Sequence, residues 1–257
     1  MPDRWAWEWS AARRWMTEEV LAVAAAAFDA QYTEVIVGDG HGNAHNIDPD
    51  RLPDNVRLVR SWPRPLLHME GVAESDINAC AFVGYHASST TSSSILAHSY
   101  SGAAFRWIRL NGELCSEGYL NAALAGEFGK PVVLVSGDAR TVEDAQRYAP
   151  QAIHFVAKKS IGWRSQVSLP PAQVRRLLQE AATEAFSRPK PPPFVLQGPF
   201  HLELEMTSQG AAEMLAYLPN TRRISAFGIS QSFDTLASLV RFVAFAMFYS
   251  PTGVPAL

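Results

Sequence analysis

The stretch Ala79-Cys80-Ala81-Phe82-Val83, followed by Gly84-Tyr85-His86, decides the predicted fold. Its first five residues form an apolar run without polar alternation, which is typical of a strand buried on both faces of a parallel sheet. His86 comes just after the carboxyl end of this strand, and ligands in open α/β sheets collect at that edge. A polar loop then leads to Ala97-His98-Ser99. We therefore expect the functional site at this edge.

Strands and helices alternate along the chain around this central strand. A helix is predicted over residues 9–30, and the Asn111-Gly112 pair predicts a hairpin between residues 105–110 and 113–115. Other strands are predicted at 33–37, 56–59, 132–135 and 153–156, and other helices at 117–128, 141–148 and 172–187. This order predicts an α/β fold whose mainly parallel sheet is flanked by helices in three layers.

Proline-rich stretches follow residue 165 and divide the chain in this interpretation. Residues 1–165 are expected to form the main α/β domain that bears the site, and residues 166–257 a smaller C-terminal α/β subdomain. Within that subdomain we predict a half-exposed strand, a helix, a strand and a closing helix, at 200–206, 211–218, 223–229 and 233–249.

The bulk properties exclude several classes of protein. The chain has 257 residues, 47% hydrophobic content and a net charge of −3, so neither a nucleic-acid partner nor a basic membrane anchor is expected. The apolar stretch 235–249 is interrupted by Arg241 and is too short to span a bilayer. Two cysteines and no signal-peptide pattern favour a cytoplasmic location.

Two more polar clusters fall at comparable places in the predicted sheet. The strand at 33–37 leads into Gly38-Asp39-Gly40-His41-Gly42, and the predicted hairpin leads into Glu117. Together with His86 they offer two imidazoles and a carboxylate, which are typical zinc ligands. Each residue also has an ordinary interpretation. His41 could be an exposed loop residue, His86 could donate one hydrogen bond at the core edge, and Glu117 could stabilise the helix dipole.

Other polar residues near these clusters have structural or supporting interpretations. Asp39 could orient His41 or form a turn, and Asp138 is expected to cap the helix that follows it. Asn121 could support the site through hydrogen bonds or simply lie on a helix face. No functional role is predicted for the remaining histidines, His45, His68, His154 and His201.

A set of short motifs, in their order and spacing, resembles the DppA-type D-aminopeptidases, a family of zinc-dependent peptidases. The motifs are Arg14-Trp15-Met16-Thr17-Glu18-Glu19-Val20, Gly38-Asp39-Gly40-His41, Gly84-Tyr85-His86-Ala87, Ala97-His98-Ser99, Glu117 with Leu120-Asn121-Ala122, and Val135-Ser136-Gly137-Asp138. Each motif alone is weak, whereas the ordered set is fairly specific.

The resemblance implies a function and a site. It implies metal ligands at His41, His86 and Glu117, a catalytic histidine at His98, and one or two zinc ions. The implied activity is hydrolysis of short peptides, with D-amino-acid peptides as the family's substrates. It also implies a ring-like homo-oligomer, a decamer in the family.

The sequence departs from the family at its start. The family opens with a strand carrying Asp-x-Glu-Gly, whose carboxylates bind the metals, and this sequence begins just before the helix that follows that strand. His68-Met69-Glu70-Gly71-Val72 looks similar, but its spacing matches the ordinary lead-in to the central strand. Two functions therefore stay open: a hydrolase with an incomplete metal site, or a non-hydrolytic homologue that binds peptide or protein. A start codon placed too late is the third explanation.

Overall fold

Parallel strands rich in branched apolar residues hold the candidate site. The computed structural model describes residues 6–248, with side chains from residue 8 onward. The helices are α1 Ala6–Asp29, α2 Glu117–Glu127, α3 Ala139–Ala145, α4 Pro171–Ser187, α5 Gln209–Leu215 and α6 Leu236–Phe248. The strands are β1 Val35–Gly38, β2 Val56–Val59, β3 Cys80–Tyr85, β4 Phe105–Leu110, β5 Glu113–Leu114, β6 Val132–Asp138, β7 Ile153–Ser160, β8 Gln166–Ser168, β9 Phe200–Met206, β10 Arg222–Arg223 and β11 Gly228–Phe233.

Two groups of parallel strands carry the carboxyl-end loops. One is the pair β1–β2, and the other is the order β3–β6–β7–β8, in which β8 alone runs antiparallel to its neighbour. Every residue of β6 is buried, as expected for a strand covered on both faces. Helix α1 packs against both groups, contacting β1–β2 through Ala24 and the β3–β6 side through Val23 and Ala26.

A separate five-stranded antiparallel sheet, in the order β10–β11–β9–β4–β5, forms the other side of the main core. The α/β prediction is confirmed, while the mainly parallel, three-layer description fits only the first two groups of strands. Buried and partly exposed residues alternate along β9, in contrast to the parallel strands: Leu202 and Leu204 are buried, whereas Glu203 and Glu205 reach solvent. A strand with one wet face suits an antiparallel sheet.

The predicted hairpin is confirmed, and one predicted strand is divided by a turn. Asn111 and Gly112 both have positive φ, 52° and 84°, which is the two-residue turn that matches strand twist. The strand predicted at 223–229 is interrupted: its ends belong to β10 and β11, and residues 224–227 form the turn between them, closed by a hydrogen bond from the Ile224 N–H to the Gly228 carbonyl (2.9 Å). The closing helix ends at Phe248, and Tyr249 lies outside the described residues.

The predicted division at residue 165 stays a prediction. Strands from its two sides share one sheet, because β4 pairs with β9 along most of its length. Among the described helices, none combines the length and apolarity needed to cross a bilayer.

Candidate active site

His86 is held by the loop that follows β3. Its Nδ1–H donates to the carbonyl oxygen of Ile95 (2.9 Å), which leaves Nε2 with a free lone pair. The N–H of Ile95 donates in turn to the carboxylate of Asp138 (2.6 Å), at the end of the neighbouring strand β6. Burial lowers the pKa of His86 and so favours the neutral ring. A neutral imidazole fixed through one nitrogen is the usual state of a metal-binding histidine.

Glu117 brings a carboxylate to the same place. It is the first residue of α2, whose N-terminus is capped by Ser116, and it is only 6% exposed. Its Oε1 accepts a hydrogen bond from the N–H of Tyr100 (2.8 Å) and lies 3.2 Å from Nε2 of His98. The helix N-terminus stabilises this negative charge.

His98 lies between two acceptors. Its Nδ1 is 2.6 Å from the carbonyl oxygen of Leu96, while its Nε2 faces Glu117. Because Leu96 accepts from Nδ1, a hydrogen bond between Nε2 and Oε1 of Glu117 needs one proton, which either of these two atoms can carry. This geometry can take up and return a proton at a defined atom.

His41 completes the cluster from the loop after β1. Its ring lies 6.1 Å from that of His86, and the His86 ring lies 4.9 Å from that of His98, between centroids. The Asp39 carboxylate accepts hydrogen bonds from the N–H groups of Asn46 and Ile47 (2.6 and 2.9 Å), and therefore closes the loop. The Asn46 side chain also donates to the His41 carbonyl (2.6 Å). Asp39 therefore positions the His41 backbone indirectly, by holding Asn46.

The predicted cap by Asp138 is found, and Asn121 forms hydrogen bonds on the side of the candidate site. Asp138 caps α3 by accepting from the Thr141 N–H (2.8 Å). Asn121, fully buried on α2, accepts from the Tyr100 hydroxyl (2.7 Å) and donates to the Tyr85 hydroxyl (3.1 Å). Because the Tyr100 N–H also donates to Glu117, this network fixes the carboxylate within the core.

His68 is a site residue that sequence reasoning missed. Its Nε2–H donates to the Gly40 carbonyl (2.9 Å), and its Nδ1 lies 3.7 Å from Oε2 of Glu117. That Nδ1 is buried and has no hydrogen-bond partner among the described residues. The segment around it is a short 3-10 turn, Leu67–Met69, so its nearness to Glu117 arises from tertiary packing and has no signal in local sequence.

A protein-family model described as D-aminopeptidase matches residues 2–245. The chain belongs to the D-aminopeptidase family. The D-aminopeptidase of Bacillus subtilis (strain 168) is 30% identical over 207 residues, which cover 80% of this chain and 74% of that relative. Among solved structures, the Zn-dependent D-aminopeptidase DppA from Bacillus subtilis, described as a self-compartmentalizing protease, superposes with a TM-score of 0.82. That match has 27% identity and covers 93% of this chain and 88% of the other.

The donors of this family member fit zinc in kind. His41, His86 and Glu117 supply two imidazoles and a carboxylate, and the Ile95 carbonyl orients one imidazole from behind. The unpartnered Nδ1 of His68 lies 3.7 Å from Oε2 of the same carboxylate. A cation or a hydrogen-bond donor between the two atoms would satisfy both. Within residues 8–248, however, no three His, Cys, Asp or Glu side chains lie close enough to enclose an ion.

Proposed function

We propose that this D-aminopeptidase family member is a zinc-dependent hydrolase of short peptides, and that it prefers D-amino-acid substrates. The observation that carries the proposal is the meeting of His41, His86, His98 and Glu117 beyond the carboxyl ends of β1 and β3, in a chain that matches the family model from residue 2 to 245. These four residues come from three separate elements, so their contact is a product of the fold.

In this proposal His41, His86 and Glu117 hold the metal, and His98 moves the proton. Bound zinc would polarise the scissile carbonyl and acidify a bound water. His98 can accept a proton at Nε2, because Leu96 fixes its other nitrogen as a donor. Glu117 can hold that proton in a hydrogen bond, and His98 can then pass it to the leaving amine. Asn121 and Tyr100 keep the carboxylate in place during the exchange.

Zinc content measures the metal part of this proposal directly. We expect about one or two zinc ions per chain after saturation and dialysis. His86→Ala should lower that number by removing a ligand, whereas His201→Ala, at a side chain that is 48% exposed, should not. Metal analysis of purified protein, followed by hydrolysis assays on a D-alanine and an L-alanine dipeptide, tests binding and stereochemistry separately.

One observation favours a second function, a non-hydrolytic peptide- or protein-binding homologue. The described side chains lack a ready enclosure for an ion. If no zinc binds even at saturation, and neither dipeptide is cleaved, the hydrolase proposal fails and the binding function replaces it.

We also propose self-association, with a decamer as the expected form. The β7–β8 hairpin exposes apolar residues, including Ile161 (68%), Trp163 (57%) and Val167 (64%). Such patches mark interaction surfaces. The hairpin reaches the site, because the Leu96 N–H donates to the Trp163 carbonyl (2.9 Å). Trp163→Glu should lower the mass measured by light scattering, whereas Tyr217→Glu, at a residue that is 70% exposed, should not. Equal masses for both variants would contradict this interface.

A further inference from the structure

The loop that carries His41 has little rigidity of its own. Residues 38–42 are Gly-Asp-Gly-His-Gly, and glycine leaves the backbone free to adopt many conformations. The rings of His86 and His98 are each held by a hydrogen bond between Nδ1 and a backbone carbonyl. The His41 ring, in contrast, has no hydrogen-bond partner among the described residues. The position of this imidazole therefore depends on what fixes the backbone of its loop.

Two side chains from the segment after β2 hold this backbone at its carbonyl groups. The indole Nε1–H of Trp62 donates to the carbonyl of Gly42 (2.8 Å). The guanidinium of Arg64 donates from Nη2 to the carbonyl of Asp39. The two accepting carbonyls lie on either side of His41 in the chain, 20 and 25 residues from their donors. We call Trp62 and Arg64 the loop clamp.

Neighbours of the clamp bind the same loop. The Ser61 N–H donates to the Ala44 carbonyl (3.0 Å), and the Nε2–H of His68 donates to the Gly40 carbonyl (2.9 Å). The carbonyls of residues 39, 40, 42 and 44 thus all accept from donors within residues 61–68. The rigidity that the glycines remove is supplied by this second segment.

Arg64 would be a costly residue for packing alone. It is 6% exposed, its Nε has no partner among the described residues, and burial lowers its pKa to about 10, so it stays charged at neutral pH. Its Nη1 donates to the carbonyl of Val59 at the end of β2 (3.3 Å), and its guanidinium carbon lies 3.8 Å from the centroid of the Trp62 ring. Because a well-packed apolar side chain often stabilises a core as well as a buried charge does, the guanidinium indicates a task beyond packing.

We propose that Trp62 and Arg64 are positioning residues for His41. They fix the backbone two residues before and one residue after it, so that its imidazole stays 6.1 Å from that of His86, between centroids. The inference rests on the proposed role of His41 as a metal ligand. The clamp acts through the loop backbone and takes no part in the chemistry.

Removing either donor should weaken zinc binding. Trp62→Phe keeps an aromatic ring without the N–H, and Arg64→Met keeps a long side chain without the guanidinium. We expect each variant to lose at least about tenfold in zinc affinity, measured by competition with a chromophoric chelator. Arg64→Lys keeps the charge and a donor and should lose less. Arg176→Met, at a side chain that is 61% exposed on α4, is the control and should bind zinc as the parent does.

Cobalt in place of zinc separates positioning from a general loss of structure. The visible absorption of protein-bound Co²⁺ depends on the number and geometry of its ligands. At saturating Co²⁺, Trp62→Phe should shift the spectrum of the parent protein. In a His41→Ala background the same substitution should leave the spectrum unchanged, because the ligand that Trp62 positions is already absent.

Amide hydrogen exchange of the metal-free protein separates the clamp from the proposed metal role. The hydrogen-bonded amides of Asp39 and Ala44 should exchange at least about tenfold faster in Trp62→Phe and in Arg64→Met, while Val132–Asp138 exchanges as in the parent. If the parent binds no metal but exchange rises in this way, the metal role of His41 is refuted and the clamp is confirmed. Trp62→Phe decides the matter alone if Arg64→Met does not fold.

Two results would overturn the proposal. The first is unchanged exchange of the loop amides in Trp62→Phe, which would mean that the loop is rigid without the clamp. The second is a cobalt spectrum that shifts equally in the parent and in the His41→Ala background, which would mean that the effect does not pass through His41.

Discussion

Replacing Asp138 should weaken both the fold and the proposed metal site, because its buried carboxylate joins three segments. It accepts hydrogen bonds from Ser94 Oγ (2.8 Å), the Ile95 N–H (2.6 Å) and the Thr141 N–H (2.8 Å). In Asp138→Ala the cap of α3 is lost, at about 1 kcal/mol. The buried Ile95 N–H is left unpaired, at about 1–3 kcal/mol more.

The free energy of unfolding of Asp138→Ala should therefore fall by about 2–4 kcal/mol, which is about 5–15 °C in Tm for a chain of this size. Asp138→Asn keeps one acceptor oxygen and should lose less. Asp138→Ala also frees Ile95, whose carbonyl orients His86. Zinc affinity should therefore fall by about 10–100-fold, the usual cost of losing a group that orients a metal ligand.

Urea unfolding and competition with a chromophoric chelator measure the two effects. Asp48→Ala is the control. Asp48 also caps a short helix, but its side chain accepts from the Asp50 N–H and not from a residue that orients a site histidine. A stability loss below about 1 kcal/mol would refute the buried hydrogen-bond argument. Unchanged zinc affinity in a destabilised Asp138→Ala protein would refute the connection through Ile95 to His86.

The contribution of Asp138 should also depend on pH. Burial alone would raise its pKa, but the hydrogen bonds from Ile95, Thr141 and Ser94 bring the pKa below its ordinary value of 3.8. A carboxyl with a depressed folded pKa contributes its full stability above the unfolded pKa and loses it as pH falls through the folded one. The stability difference between the parent protein and Asp138→Asn should accordingly narrow below pH 3.8. A difference that widens in acid would contradict this assignment.

Two further predictions concern the core. Gly126→Ala would place a Cβ 1.9 Å from the carbonyl oxygen of Phe194, so we expect a loss of about 3 kcal/mol in urea unfolding. Gly210→Ala, whose nearest neighbour would be 3.6 Å away, should be neutral or slightly stabilising; equal losses for both would contradict the steric argument. Burial raises the pKa of the Cys80 and Cys115 thiols to about 12, so both should react slowly with a disulfide reagent in the native protein and rapidly in urea. Rapid reaction of native protein would show that this core opens.

Local chemistry in the sequence was enough to predict most elements. The strand at 56–59 matches β2 in both bounds, and the 105–110 strand matches β4. Both are short β-branched or aromatic runs bounded by turn residues, which act over a few positions. The Asp138 cap and the Asn111-Gly112 turn are equally local, because each depends on backbone groups within three residues. The strand predicted at 223–229 was wrong at 224–227, where a turn folds its two ends against each other and pairs Arg223 with Ile229.

The candidate site was predictable only in part. His41, His86 and Glu117 could be selected because each follows a strand or opens a helix, and His98 because the ordered motifs resemble one family. Their roles stay predictions. His68 could not be selected, since only packing of the 3-10 turn Leu67–Met69 brings its ring to Glu117 and Gly40.

By itself, the sequence determined most of the elements, the hairpin and the Asp138 cap, because these follow from interactions between near neighbours, and it offered candidate metal ligands by residue type. Tertiary structure decided that α1 covers two groups of strands, that β9 joins β4, and that Trp62 and Arg64 bind the loop after β1. The physical reason is that strand pairing and burial join residues far apart in the chain, and apolar runs of similar composition can pair in many orders.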